Sequence, residues 1–175
     1  MADSQKSNAI VGVIMGSDSD YPVMVEACRM LEKFGIVYEV EVVSAHRSPA
    51  RAAEYAETAM KRGLKAIIVG AGGAAHLAGV VAALTTLPVI GVPMAATSLN
   101  GMDSLLATVQ MPGGVSVATM AIGKPGATNA GIFAAQMLGL SDAAITRKLA
   151  EYKKELDAAV AEKSARLKQE LADKK

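Results

Sequence analysis

The chain has no tryptophan, two phenylalanines, four tyrosines and a single cysteine, Cys28, among its 175 residues. So few aromatic rings argue against a stacking platform for single-stranded nucleic acid. One cysteine excludes an internal disulfide and fits a reducing compartment. Net charge is +1, so nothing draws the chain to DNA or to an anionic membrane by charge alone. Residues 66–102 contain no Asp, Glu, Lys or Arg, which raises a membrane reading. Gly70, Gly72, Gly73, His76, Gly79, Pro88, Gly91 and Pro93 interrupt the stretch, and no clean span of ~20 apolar residues survives. Met1 to Asn8 are polar and lack the basic-then-apolar shape of a signal peptide. A cytoplasmic protein that binds neither nucleic acid nor membrane is expected.

What the chain does have is Ala, Val and Gly in abundance, and enough length for one domain with a sizeable core. Charge collects at the end: residues 141–175 hold nine of the 18 Lys and Arg and seven of the 17 Asp and Glu. The first 140 residues are therefore unusually apolar. Two helical stretches, Ala74–Leu84 and Ala127–Leu138, are apolar on nearly every face, which a surface helix of a small monomer would not be. Some of that surface is expected to lie between subunits of a homo-oligomer.

Strand and helix patterns alternate. Val11–Met15, Val37–Val43, Ala66–Val69, Pro88–Val92 and Val115–Ile122 read as strands. Between them fall helices over Tyr21–Phe34, from Ser48-Pro49 to Gly63, Ala74–Leu84 and Met102–Val109, with Ala127–Leu138 after the last strand. Ser19 or Asp20 is the expected cap of the first helix, with Pro22 in its first turn and Gly35 at its end. Near-continuous apolar strands imply a parallel sheet covered on both faces, a three-layer αβα domain. Five strands favour the flavodoxin-like order 2-1-3-4-5 over the six-stranded dinucleotide-binding order.

Residues 1–140 are thus expected to form one catalytic domain, and 141–175 a helical extension of it. In that extension Ile145, Leu149, Tyr152 and Leu156 recur at helical spacing, and Val160, Leu167 and Leu171 continue in a shifted register. Glu162 with Arg166 and Glu170 with Lys174 are spaced as i,i+4 pairs. The plainer alternative is a solvated tail that frays over its last ten residues.

Ligands of open parallel sheets bind outside the carboxyl ends of the strands. Three polar junctions fall there: Gly16-Ser17-Asp18-Ser19-Asp20, Ser44-Ala45-His46-Arg47-Ser48 and Gly70-Ala71-Gly72-Gly73-Ala74-Ala75-His76. Strands 1 and 3 flank the switch point and strand 2 lies beside strand 1, so the loops should converge on one crevice. Gly16 suits a tight turn, and Ser17 and Ser19 with free helix-start N–H groups make an anion site. Asp20 suits a ribose hydroxyl better than a phosphate. Arg47 can grip phosphate or carboxylate through its fork. The small residues from Gly70 to Ala75 let backbone amides approach a ligand. His46 can exchange a proton near neutrality, the ordinary imidazole pKa being about 6.5.

Each reading has a plainer rival. The Gly-Ser-Asp-Ser-Asp run could be only a helix cap, and a lone loop histidine is more often a bystander. Both histidines of the chain, however, fall at strand ends in a neutral core. Cys28 reads as core packing, and the ten methionines as core filler. The run from Gly70 to Ala75 matches G-x-G-x-x-A, but no Asp or Glu occurs between Glu57 and Asp103, so the acidic partner of a dinucleotide site is missing.

Taken together, MGSDSD (15–20), SAHRSP (44–49), GAGGAAHL (70–77), LPVIGVP (87–93) and GMDSLLATVQMPGGVSVAT (101–119) resemble the class I N5-carboxyaminoimidazole ribonucleotide mutases, the PurE family, over about residues 9–140. Arg47 after the histidine marks the class I form; related carboxylases that use free CO2 carry a lysine there. The chain departs from the usual HLPGM at Ala78 and Val80, and has Ser48 where threonine is common. The resemblance implies that Ser17, Asp20 and Arg47 bind a ribonucleotide, with Ser19, Ser44, Ala45, Ala71, Gly72, Ala75 and Leu77 completing the pocket. It implies His46 as proton shuttle and His76 as a pocket residue near a migrating carboxylate. It further implies a homo-octamer with no metal and no organic cofactor. A flavodoxin-like FMN module and a direct aminoimidazole ribonucleotide (AIR) carboxylase are the alternatives, and the scarcity of aromatics to sandwich a flavin counts against the first.

Overall fold

A computed structural model describes residues 8–173; the N-terminal stretch read for a leader lies outside them apart from Asn8. Five parallel strands, β1 (Val11–Met15), β2 (Tyr38–Val42), β3 (Ala66–Gly72), β4 (Val89–Met94) and β5 (Ala118–Thr119), form one sheet in the order β2-β1-β3-β4-β5. Six helices accompany them: α1 (Tyr21–Phe34), α2 (Pro49–Arg62), α3 (Leu77–Leu84), α4 (Met102–Val109), α5 (Lys124–Gly139) and α6 (Ala143–Ala172). This is the flavodoxin-like order expected from the sequence.

The period of two along each strand splits the core. Val11, Val13, Met15, Ile68, Ile90 and Val92 face α1 and α5, while Ile14, Ile67, Val69 and Val89 face α2 and α3. Proline and glycine punctuate the helices as their backbone limits require. Pro22 and Pro49 sit in the first turns of α1 and α2. Gly35 and Gly63 close those helices at φ 73° and 103°, a region that an L side chain rarely enters.

Asp20 is the cap residue of α1, one of the two positions expected, and makes no side-chain bond there; Ser17 caps a short 3-10 turn, Asp18–Asp20, by accepting from the Ser19 N–H. Three expectations need correction. The second strand is not apolar throughout, because β2 is an edge with Glu39 and Glu41 in it. The third helix starts at Leu77 instead of Ala74, since β3 runs on to Gly72 and Gly73 turns at φ 59°. The fifth strand, expected over eight residues, pairs over two, Ala118 and Thr119 against Ile90 and Gly91. It lies at the other edge with one neighbour, so its apolar composition overstates its length.

The helix α6 begins on Asp142, whose carboxylate accepts from the N–H groups of Ala144 and Ile145. Ile145, Leu149 and Tyr152 pack against the α1–α5 core, with Tyr152 edge-on to Phe34 at 5.8 Å. Lys148 donates to the last carbonyl of α1, Phe34 O, at 3.1 Å. The helix continues to Ala172, but Leu156, Val160, Leu167 and Leu171 are exposed. Arg166 lies 4.0 Å from Glu170 and does not pair back with Glu162; the pair with Lys174 lies outside the described residues.

Candidate active site

The three polar junctions meet as expected at the carboxyl ends of β1, β2 and β3. They enclose a cavity of about 460 Å³ lined by Gly16, Ser17, Ser19, Asp20, Ser44, Ala45, His46, Arg47, Ala71, Gly72, Ala74, Leu77 and Ala96. That volume suits a small ligand. Hydroxyls and one guanidinium stand on one part of the lining and methyl-sized groups on the rest.

The first loop holds itself together. Ser19 Oγ donates to Ser17 Oγ at 2.8 Å, and Ser17 in turn donates to Asp18. Asp20 is half-buried here, and desolvation pushes its carboxyl pKa upward against the pull of the Ser17 backbone and Arg47. Gly16 is not needed for its turn, because its φ is not in the left-handed region. A Cβ there would meet nothing within 4 Å. The missing side chain leaves cavity space open instead.

The second loop is the connector. Ser48 donates its hydroxyl to Ser44 O at 3.1 Å and accepts from Ser44 N–H at 3.3 Å, closing the turn. Arg47 then reaches across to the first loop, its Nη2 donating to Gly16 O at 2.8 Å and its Nε approaching Ser44 Oγ at 3.4 Å. The guanidinium expected to meet a ligand's anion therefore also joins two loops. His46 reaches the third loop: its Nε2 is 2.9 Å from His76 Nδ1, the rings nearly perpendicular at 80°.

In the third segment the glycines serve packing more than ligand approach. A Cβ on Gly70 would stand 2.6 Å from Met24 Sδ and 2.7 Å from Met94 Cε, and one on Gly72 would stand 2.7 Å from Ala96 Cβ. Two expected site residues are not on the cavity wall. Ala75 is buried in the core on the α2–α3 face, and His76 touches the site through His46. Ala74 lines the cavity as part of the small-residue run expected there, whereas Ala96 was not anticipated. Ala96 comes from the junction after β4, also at a strand's carboxyl end, and that position was the available signal. Nearby, Thr97 donates to Asp103 Oδ2 at 2.6 Å and holds that carboxyl below its usual pKa range. Asp103 Oδ1 is shielded and unpartnered among the described residues.

Cys28 is buried in the α1–α5 core, and burial raises its thiol pKa. Among the described residues no three His, Cys, Asp or Glu side chains are grouped to share a cation, and no helix is long and apolar enough to cross a membrane.

The sequence profile of the AIR carboxylase family matches residues 10–159. The N5-carboxyaminoimidazole ribonucleotide mutase of Thermotoga maritima is 58% identical over 159 residues, 91% of this chain and 92% of that one. The phosphoribosylaminoimidazole carboxylase of Candida glabrata is 54% identical over 158 residues, 90% of this chain but 27% of that longer one. Among solved structures, Treponema denticola PurE superposes with a TM-score of 0.80 at 27% identity, over 90% of this chain and 98% of that one.

Proposed function

The chain belongs to the AIR carboxylase family, and we propose that within it the protein is an N5-carboxyaminoimidazole ribonucleotide (N5-CAIR) mutase of purine biosynthesis. The observation that carries this reading is the cavity where His46, the Arg47 guanidinium and the Ser17–Ser19 hydroxyls face a wall of Ala45, Ala71, Ala74, Leu77 and Ala96. Arg47 and the serines bind the ribonucleotide phosphate, and Asp20 takes a ribose hydroxyl. The bond between N5 and the carboxyl carbon breaks. CO2 departs, and the electron pair stays on N5, which takes a proton from His46, the imidazole starting the cycle with hydrogen on both nitrogens. C4 then attacks CO2, and the C4 proton passes to His46. One proton gained at N5 and one lost at C4 balance, so one imidazole can serve the cycle without a net change of charge. The small apolar wall keeps water away from the released CO2.

The experiment is conversion of N5-CAIR to 4-carboxyaminoimidazole ribonucleotide (CAIR) in bicarbonate-free buffer, against AIR with bicarbonate. The mutase reading requires the first to be rapid at low substrate. The likeness to the Candida carboxylase favours a second reading, direct carboxylation; turnover of AIR with bicarbonate alone would establish it. Arg47 after the histidine supports the mutase.

The same proposal takes residues 1–140 as the catalytic domain, 141–175 as its helical extension, the cytoplasm as its place and a homo-octamer as its assembly. The support for assembly moves in part from where the sequence put it: Leu84 of α3 is exposed, but the other apolar helix is not. Ala127, Ala130, Ala134, Ala135 and Leu138 of α5 are buried within the chain itself. The open apolar surface lies on and before α4, where Leu99, Met102, Leu106 and Val109 are exposed.

A further inference from the structure

We infer that His76 is a positioning residue: through Nδ1 it fixes the tautomer and direction of His46 and leaves His46 Nδ1 to meet the reacting atoms. This rests on the mutase reading. The two residues are 30 positions apart, on loops after different strands, yet their nitrogens lie 2.9 Å apart with ring centroids at 5.0 Å. A contact that short between imidazole nitrogens needs one hydrogen and one lone pair.

Both rings stand on restrained backbone. His76 is the residue before α3, its N–H bonded to Ala74 O at 2.8 Å and its carbonyl accepting from Val80 N–H at 3.0 Å. His46 sits in the turn closed by Ser44 and Ser48 and tied to Gly16 by Arg47. His46 Nδ1 has no hydrogen bond within the described residues, whereas its Nε2 is committed to His76. The nitrogen available to a substrate is therefore Nδ1.

The consequence for proton transfer is specific. When the C4–H bond breaks, its proton goes to His46 Nδ1 and its electron pair stays in the imidazole ring of the substrate. His46 then carries hydrogen on both nitrogens, and its Nε2–H donates to the lone pair on His76 Nδ1. That charge-assisted bond is stronger than the neutral one before transfer, so His76 favours the imidazolium without touching substrate. Were both rings charged, two N–H groups would face each other and the contact would break. The pair thus holds one extra proton at a time, which matches the balanced gain at N5 and loss at C4.

Three variants separate this role from its rivals. In His76→Asn the amide falls where Nδ1 was; in His76→Gln it reaches towards the place of Nε2; His76→Ala offers nothing. We expect kcat within about fivefold of wild type for His76→Asn, and a fall of at least roughly tenfold for the Gln and Ala variants, the scale of a lost hydrogen bond to a charged group. KM should stay within about threefold in all three. Nitrogen-15 spectra of the neutral His46 ring, which need no turnover, should show the Nε2–H tautomer in wild type and His76→Asn and a mixture in His76→Ala. Gln equal to or better than Asn would mean that the ring only fills space. Loss of turnover in all three beyond about a thousandfold would mean that His76 moves the proton itself. An unchanged tautomer in His76→Ala would likewise overturn the inference. If wild type proved inert on N5-CAIR, the mutase reading would fall, and the tautomer measurement would still decide what the contact does.

Discussion

Replacing Arg47 with Lys keeps the positive charge and removes the fork, which isolates what the fork contributes. In the structure Arg47 donates to Gly16 O at 2.8 Å and approaches Ser44 Oγ at 3.4 Å. A lysine has one nitrogen on a flexible stem and cannot hold the Gly16 carbonyl while it also binds a phosphate. Hydrogen bonds to charged groups contribute roughly 1.5–3 kcal/mol. Arg47 is exposed, so the lower end applies for one bond. At about 1.4 kcal/mol per tenfold, losing one grip raises KM roughly tenfold. If the first loop also slackens, the rise approaches a hundredfold. The value of kcat should hold within about threefold, because His46 keeps its own contact with His76. Steady-state kinetics on N5-CAIR gives both constants, and calorimetry with CAIR gives affinity without turnover. An unchanged KM with a collapsed kcat would refute the reasoning, because Arg47 would then act on the chemistry and not on binding.

The remaining outcomes follow from the same geometry. His46→Asn should bind CAIR within roughly tenfold of wild type while kcat falls at least ~10², the usual worth of positioned acid–base catalysis; near-normal kcat would remove His46 from that role. Asp20 has its carboxyl pKa raised by burial, so the folded state holds that proton more tightly than the unfolded state does. Ionising it costs stability above the folded value, and the cost disappears below the unfolded value of about 3.9. Asp20→Asn should therefore melt higher than wild type at pH 7, with the gain gone by about pH 4; a lower melting temperature at pH 7 would show that Arg47 and the Ser17 backbone outweigh burial. Sedimentation at micromolar concentration should give a species several times the 18.0 kDa chain, and a clean monomer would contradict the role given to Leu99, Met102, Leu106 and Val109.

Where sequence and structure agree, a local rule settles the matter. Val11–Met15 is a strand buried at all five positions, and its apolar run needs no partner's identity to be read. Pro22, Gly35, Pro49 and Gly63 mark helix ends through their own backbone limits. The gathering of three polar loops follows from sheet order alone. What was not legible depends on neighbours distant in the chain. The short pairing of β5 depends on how much of β4 it meets. The need for Gly70 and Gly72 lies in Met24, Met94 and Ala96, none of them adjacent in sequence. The bond from Arg47 to the Gly16 carbonyl and the contact of His46 with His76 are long-range, and no spacing rule encodes them. Ala96 has a side chain too plain to attract notice.

The position of β2 has a further consequence. It pairs with β1 alone, and its Val40 and Val42 are exposed. The turn that follows holds the first loop through Arg47 and the third through His46, so this keystone hangs from an edge of the sheet with only one neighbour. Partial opening of a protein starts where fewest contacts resist it, and peeling β2 away would undo both clasps together. A nucleotide bound across the three loops, as proposed, would favour the closed form and raise the free energy of that local opening by an amount that grows with the logarithm of its concentration over its dissociation constant. Occupancy of the site would then be written into the breathing of one edge strand, and the helices on the far face need not change at all.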